Sequence, residues 1–302
     1  MSVSAIQTRD LTKYYGPVVG VEGLSLDVEQ GEVFGFLGAN GAGKTTTIRL
    51  LLDLLRPTSG TASVLGFDCH RQSLEARRRI GYLPAEMPMY PELTGMAYLE
   101  YLSALGTRPT RSRLDQLFQR FDVSQIDLGR RMRDYSHGMK RKLGLIQALM
   151  GDPQVLILDE PTAGLDPLMI EAFGETLDDL RQTGKTSVML SSHVLSEVDR
   201  VCGRIGLIRG GTLAAVQSLA ELRAMTPRRL TVAFSQPVDA PAVIAAGWTV
   251  VVREPTKWVI DVRGPVGGFL SSLGGLPVAD VDLAAFDLED AVLRFFTDPP
   301  AC

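Results

Sequence analysis

One stretch restricts this chain more than any other. Gly38-Ala39-Asn40-Gly41-Ala42-Gly43-Lys44-Thr45 fits the pattern G-x-x-x-x-G-K-[ST] without a mismatch. The apolar, aromatic run from Glu32 to Leu37 precedes it and reads as a buried strand. Thr46 to Leu55 follows and reads as a helix ended by Pro57. The glycines thus lie between a strand and a helix, the context this motif requires. Gly38, Gly41 and Gly43 let the backbone curl so that several N–H groups point at one anion. The helix N-terminus adds about half a positive charge. Lys44 adds a full charge aimed at β- and γ-phosphates, and the Thr45 hydroxyl can ligate Mg²⁺. The nucleotide-binding candidates are therefore residues 38–45 together with Thr46.

Composition narrows the class. At 302 residues, 45% apolar and 22% charged, the chain reads as a globular protein with one large and one smaller domain. Thirty-one basic and 35 acidic residues leave a net charge of −4, so no global field favours nucleic acid. Basic clusters at Arg77-Arg78-Arg79, Arg130-Arg131, Lys140-Arg141-Lys142 and Arg228-Arg229 read mostly as solvated faces. The three cysteines, Cys69, Cys202 and Cys302, show no metal spacing and no disulfide framework. No window reaches the ~18 apolar residues of a membrane helix, and residues 1–6 do not read as a signal peptide.

Read in order, Val3–Gln7 and Leu24–Val28 form alternating strands, with Tyr14 and Tyr15 between them as a possible base-stacking platform. Thr61–Leu65 and Ile80–Leu83 are short strands. The proline-rich segment Pro84 to Pro91 fits neither helix nor sheet interior. From about 92 to 150 only helices are legible, so a helical subdomain is inserted between strands. Val155–Glu160 is an apolar strand ending in two carboxylates, and Ser187–Leu190 a strand followed by His193. Beyond Pro227 the order β, α, β, β, α, β is that of a ferredoxin-like split βαβ domain. This divides the chain into residues 1–226 and 227–302.

The second acidic site narrows the chemistry. Asp159, ending a buried strand, can hold Mg²⁺ opposite Thr45. Side chains of strand neighbours diverge, so Glu160 is left to polarise an attacking water as general base. No guanine-reading Asn-Lys-x-Asp motif occurs. Ser136, a helix cap, forms with Gly138 and a free helix N-terminus a second anion site that one bound ATP does not obviously use.

Together these residues resemble the nucleotide-binding subunits of ABC transporters, from about residue 3 to about residue 225. Gly38–Thr45 matches the Walker A motif and Val155–Glu160 Walker B with its catalytic glutamate. Tyr135–Met139 matches the signature motif with His137 and Met139 as variants, Pro161–Asp166 the D-loop, and His193 the switch histidine. The resemblance implies a P-loop NTPase of the ABC ATPase fold: a mixed sheet core, an antiparallel β subdomain and an inserted helical subdomain. It also implies ATP and Mg²⁺, adenine stacking on Tyr15 with Tyr14 as second choice, and contact of His193 with the γ-phosphate. The family's glutamine after Tyr82-Leu83-Pro84 is here Ala85, which cannot ligate a metal, so Glu86 is the substitute metal-site candidate. The variant signature and the C-terminal domain look most like ATPase subunits of drug- and antibiotic-export systems of the daunorubicin-resistance type.

That resemblance implies a homodimer with ATP between the phosphate loop of one copy and the signature of the other. It implies an integral-membrane permease partner, a peripheral position on the cytoplasmic face of the cell membrane, and no nucleic acid. Met87, Met89 and Tyr90 are the candidate permease-docking residues. The rival readings are a non-transport ABC ATPase acting on ribosomes or nucleic acid, disfavoured by the single motor unit and acidic balance, and a small-molecule kinase, which leaves Ser136-His137-Gly138 unexplained.

Overall fold

A computed structural model describes residues 4–87, 90–106, 108–238, 248–262, 266–284, 288–289 and 291–292. The chain forms two units, Met1–Gln217 and Ser218–Cys302.

The first unit begins with two long strands, β1 (Ser4–Tyr15) and β2 (Val18–Glu29), followed by β3 (Val33–Leu37) and α1 (Lys44–Leu51). Next come β4 (Ser59–Val64), β5 (Phe67–Asp68), α2 (Ser73–Arg77) and β6 (Ile80–Leu83). Four helices then run without an intervening strand among the described residues: α3 (Gly95–Leu105), α4 (Arg111–Arg120), α5 (Gln125–Gly129) and α6 (His137–Leu149). The chain returns through β7 (Val155–Asp159), α7 (Pro167–Thr183), β8 (Ser187–Ser192), α8 (Leu195–Val201), β9 (Arg204–Arg209) and β10 (Thr212–Ser218).

Two sheets result. β2-β1-β4-β5 is antiparallel, and β10-β9-β3-β8-β7-β6 is parallel from β9 to β6. β3, β7 and β8 are buried along their whole length, which is why they read as continuous apolar runs rather than alternating ones. One core joins both sheets to α1 through Ile6, Leu26, Phe36, Ile48, Leu51 and Ile157. Each such buried side chain contributes about 1.5–3 kcal/mol.

Strands β1 and β2 run well past the expected Val3–Gln7 and Leu24–Val28. Asp10, at φ 46°, interrupts the alternation, and the β1–β2 register shifts between Thr8 and Leu11. The pattern breaks there, but the pairing continues. In the helical insert, Thr94, Thr110, Ser124 and Ser136 each accept a bond from the third helical amide, so four polar residues define four helix starts.

The second unit opens with α9 (Leu219–Met225). Its strands are β11 (Arg228–Phe234), β12 (Trp248–Glu254), β13 (Lys257–Val262) and β14 (Val278–Leu283), with α10 (Val266–Ser272) before the last. The sheet order β12-β13-β11-β14, antiparallel throughout, is that of a split βαβ fold. The expected helix at 240–246 lies outside the described residues, as does most of the one at 288–296. Trp258 is buried and meets Phe234 edge to face at 4.8 Å.

Candidate functional site

Three neighbouring parallel strands stop at one level. Leu37 of β3 lies opposite Ser192 of β8, and Ser191 opposite Asp159 of β7. Their carboxyl ends deliver the phosphate loop, His193 and Glu160 to one place. In open α/β sheets that edge is where ligands bind.

The phosphate loop passes into α1 through Gly43, at φ 115°, where a Cβ would lie 2.7 Å from the Gly20 carbonyl oxygen. Only glycine meets both conditions. Lys44 is 6% exposed. Its Nζ donates to the Gly38 carbonyl at 2.6 Å and to the Ala39 carbonyl at 3.4 Å, and stands 3.5 Å from Glu160 Oε1. A buried ammonium folded over its own loop beside the helix N-terminus suits a phosphate chain.

Thr45 Oγ1 donates to Asp159 Oδ2 at 2.9 Å, and Asp159 is 1% exposed. Ser191 Oγ holds the other carboxylate oxygen. A hydroxyl and a carboxylate held together are hard oxygen donors of the kind Mg²⁺ takes beside water and substrate phosphates. The residues therefore fit the metal. Among the described residues no cluster of three or more His, Cys, Asp or Glu side chains forms a fuller cage. Glu86 is exposed, and no hydrogen bond or ion pair among the described residues joins it to Thr45 or Asp159.

Glu160 takes φ 51°, in the left-handed region, which turns its carboxylate away from that of Asp159. Its N–H donates to the Ser191 carbonyl at 3.1 Å. Its Oε2 lies 2.7 Å from His193 Nδ1, so the ring orients the carboxylate directly. Behind this pair Thr162 donates to Glu197, whose carboxyl is raised by burial, against that hydrogen bond.

Tyr15 is 43% exposed at the end of β1, and a Cβ at Gly20 would touch both its ring and Thr46. That puts the ring beside α1, while Tyr14 donates its hydroxyl to Glu22 at 2.6 Å. Ser136 caps α6 by accepting from Met139 N at 3.1 Å. A Cβ at Gly138 would meet the Gly164 carbonyl at 3.1 Å, and His137 packs against Gly164. Within one chain the signature residues thus adjoin the D-loop, with no bond to Lys44 or Thr45 among the described residues. Met87 packs its sulfur against Gly144 of α6, Tyr90 is half exposed against Tyr98 and Tyr101, and Met89 lies outside the described residues.

Comparison with known proteins agrees with this geometry. The family described as ABC transporter matches residues 21–163. The daunorubicin resistance ATP-binding protein DrrA3 of Streptomyces coeruleorubidus is 37% identical over 302 residues, covering 97% of this chain and 93% of that one. The chain belongs to the ABC transporter ATP-binding family. Another relative of this ABC subunit is the bacitracin transport ATP-binding protein BcrA of Bacillus licheniformis, 38% identical over 69% of this chain and 68% of that one. Among solved structures, an ATP-binding subunit of an ABC transporter superposes with a TM-score of 0.67 at 28% identity, covering 73% of this chain and 92% of that one. This ABC protein is an ATPase, and its relatives include proteins named for daunorubicin resistance and bacitracin transport. No helix of the described residues is long and apolar enough to cross a membrane.

One basic cluster of this ABC subunit departs from its expected solvated face. Arg141 is 2% exposed and bonds only to backbone carbonyls at the strand ends. The available signal was its spacing: 141, 144, 145 and 148 fall on one helix face, and the other three are apolar and buried. Ser191, near the end of β8, and Glu197, in α8, were also passed over, because a single serine or glutamate inside a regular element carries no distinctive pattern.

Proposed function

We propose that the chain is the ATP-hydrolysing motor of an exporter, driving a separate integral-membrane permease from the cytoplasmic face of the membrane as a homodimer that sandwiches ATP. The observation that carries the reading is the placement of Glu160 between His193 and Lys44 at the strand ends. The names of the daunorubicin and bacitracin relatives support a drug, antibiotic or other hydrophobic compound as cargo.

The residues divide the work by charge. Lys44 and the α1 N-terminus bind the phosphate chain. Thr45 and Asp159 would hold Mg²⁺, and a bound Mg²⁺ would supply charge neutralisation of the phosphate oxygens. Glu160 accepts a proton from the attacking water. His193 donates Nδ1–H to the Glu160 carboxylate, holding it in line while remaining half exposed toward the nucleotide. Tyr15 offers its face to adenine. Ser136 and Gly138 complete the site of a second copy, where the Ser136 hydroxyl and the α6 N-terminus meet the γ-phosphate.

The test is co-purification and ATPase assay. The tagged chain, expressed with a neighbouring permease, is expected to be retained by that permease in detergent and to hydrolyse ATP with Mg²⁺. Retention on ribosomes instead, with no permease bound, would contradict the export reading.

A further inference from the structure

Arg141 is buried in α6, five residues after the signature serine, and its bonds account for all five of its N–H donors. Nε donates to the Pro161 carbonyl at 3.0 Å. Nη1 donates to Pro84 at 2.7 Å and Ala85 at 3.2 Å. Nη2 donates to Asp159 at 2.6 Å and also to the Glu160 carbonyl. Burial lowers its pKa to about 10, with Asp159 and Glu160 opposing that shift, so the side chain stays charged at neutral pH. Guanidinium alone offers five donors in one rigid plane.

The five carbonyls come from two separate parts of the chain. Pro84 and Ala85 follow β6 and open the segment that leads to the helical insert, where Met87 packs on the same helix α6. Asp159, Glu160 and Pro161 close β7 and begin the D-loop. Glu160 sits in a backbone conformation unfavourable for any residue with a Cβ, and its own N–H and C=O are both tied, to Ser191 and to Arg141. Ala85 has no side chain that could link this segment to the nucleotide, but its carbonyl is linked through Arg141 to the strand that carries both carboxylates.

We propose that Arg141 is a positioning residue for hydrolysis: it holds Glu160 in its left-handed turn and couples the Asp159–Glu160 strand end to segment 84–87. A rearrangement at the nucleotide then reaches that segment through the Arg141 guanidinium and the carbonyls it holds, instead of through a glutamine side chain. The inference rests on the ATPase reading given above.

The test uses the full chain carrying Arg141→Lys, whose single nitrogen offers three donors and cannot span both segments. Nucleotide affinity is measured with a fluorescent ATP analogue, turnover by phosphate release, and hydrogen exchange of the 84–87 peptide in a Glu160→Gln background with and without Mg-ATP. The expected result is an affinity and KM within about threefold of wild type and a kcat lower by about 30-fold or more. Mg-ATP slows exchange at 84–87 in the Glu160→Gln protein, and this slowing is lost when Arg141→Lys is added. A kcat within about twofold of wild type would overturn the proposal, as would a parallel fall of kcat and ATP affinity, which is the signature of a merely structural residue. Should Arg141→Lys fail to fold, Arg141→Gln is read by the same criteria, and misfolding of both variants also overturns it. An active wild type with an equally active Arg141→Lys sinks only this proposal; a wild type without Mg-dependent ATPase sinks the ATPase reading and this proposal with it.

Discussion

Glu160 and His193 show how a carboxylate is aimed by backbone and side chain at once. The left-handed turn at Glu160 separates it from Asp159, and the 2.7 Å bond to His193 fixes its rotamer. Glu160→Gln is therefore expected to bind ATP as wild type does and to lose about 10²- to 10⁴-fold in kcat, read by phosphate release and equilibrium binding. His193→Ala keeps the base but frees it, so a smaller loss of about 10- to 100-fold is expected, with full activity contradicting an orienting role. Glu197 gives a pH signature. Burial raises its carboxyl, and a raised carboxyl favours the folded state at low pH and loses that contribution as pH climbs through the raised value. Glu197→Gln removes the titration, so its Tm relative to wild type is expected to rise as pH climbs through and above the ordinary glutamate range. A constant offset across that range would contradict it. At this scale the sequence was legible where a residue type has one use: the glycines, Lys44, Thr45, Asp159 and Glu160 stand where the motif puts them. It was not legible where burial decides. Arg141 stands between two lysines and looks solvated until its helix face is counted.

Elements that begin with a capping residue or run continuously apolar were readable one by one. β3 and β7 declared themselves as apolar runs because they are buried on both faces, and α6 by the Ser136 cap. β1 and β2 were read short because Asp10 and the register shift after Thr8 interrupt a two-residue period that the sheet itself continues. α7 starts at Pro167 behind Asp166, whose Oδ1 accepts from Met169 N at 3.0 Å. Asp166→Ala is expected to cost about 1 kcal/mol in urea unfolding. The D-loop ahead of it is held more tightly. Gly164 has φ 80°, and a Cβ there would collide with the His137 ring. Gly164→Ala is expected to destabilise by about 1–3 kcal/mol and to lower ATPase with it, measured by Tm and turnover. An unchanged Tm would mean the loop and the α6 N-terminus are not packed as described.

On the scale of the molecule, the first unit carries every nucleotide-binding candidate and has its own core, while the second has a separate core around Trp258. The strand order of that second sheet follows from the β, α, β, β, α, β sequence pattern once right-handed crossovers are assumed. Which copy supplies which half of an ATP site is not a property of one chain, and no local pattern could show it. Ser136 and Gly138 adjoin the D-loop of their own chain, whereas Lys44 and Thr45 lie at the strand ends, and the proposed dimer would bring the two sets to one ATP from two copies. The direct measurement is complementation in mixed dimers. Lys44→Ala and Ser136→Arg chains are each expected to be inactive alone. Mixed, their heterodimer keeps one site with an intact Lys44 from one copy and an intact Ser136 from the other, so ATPase is expected to return to about a quarter of wild type for random pairing of equal amounts. Mixtures that stay as inactive as the separate mutants would contradict the shared site.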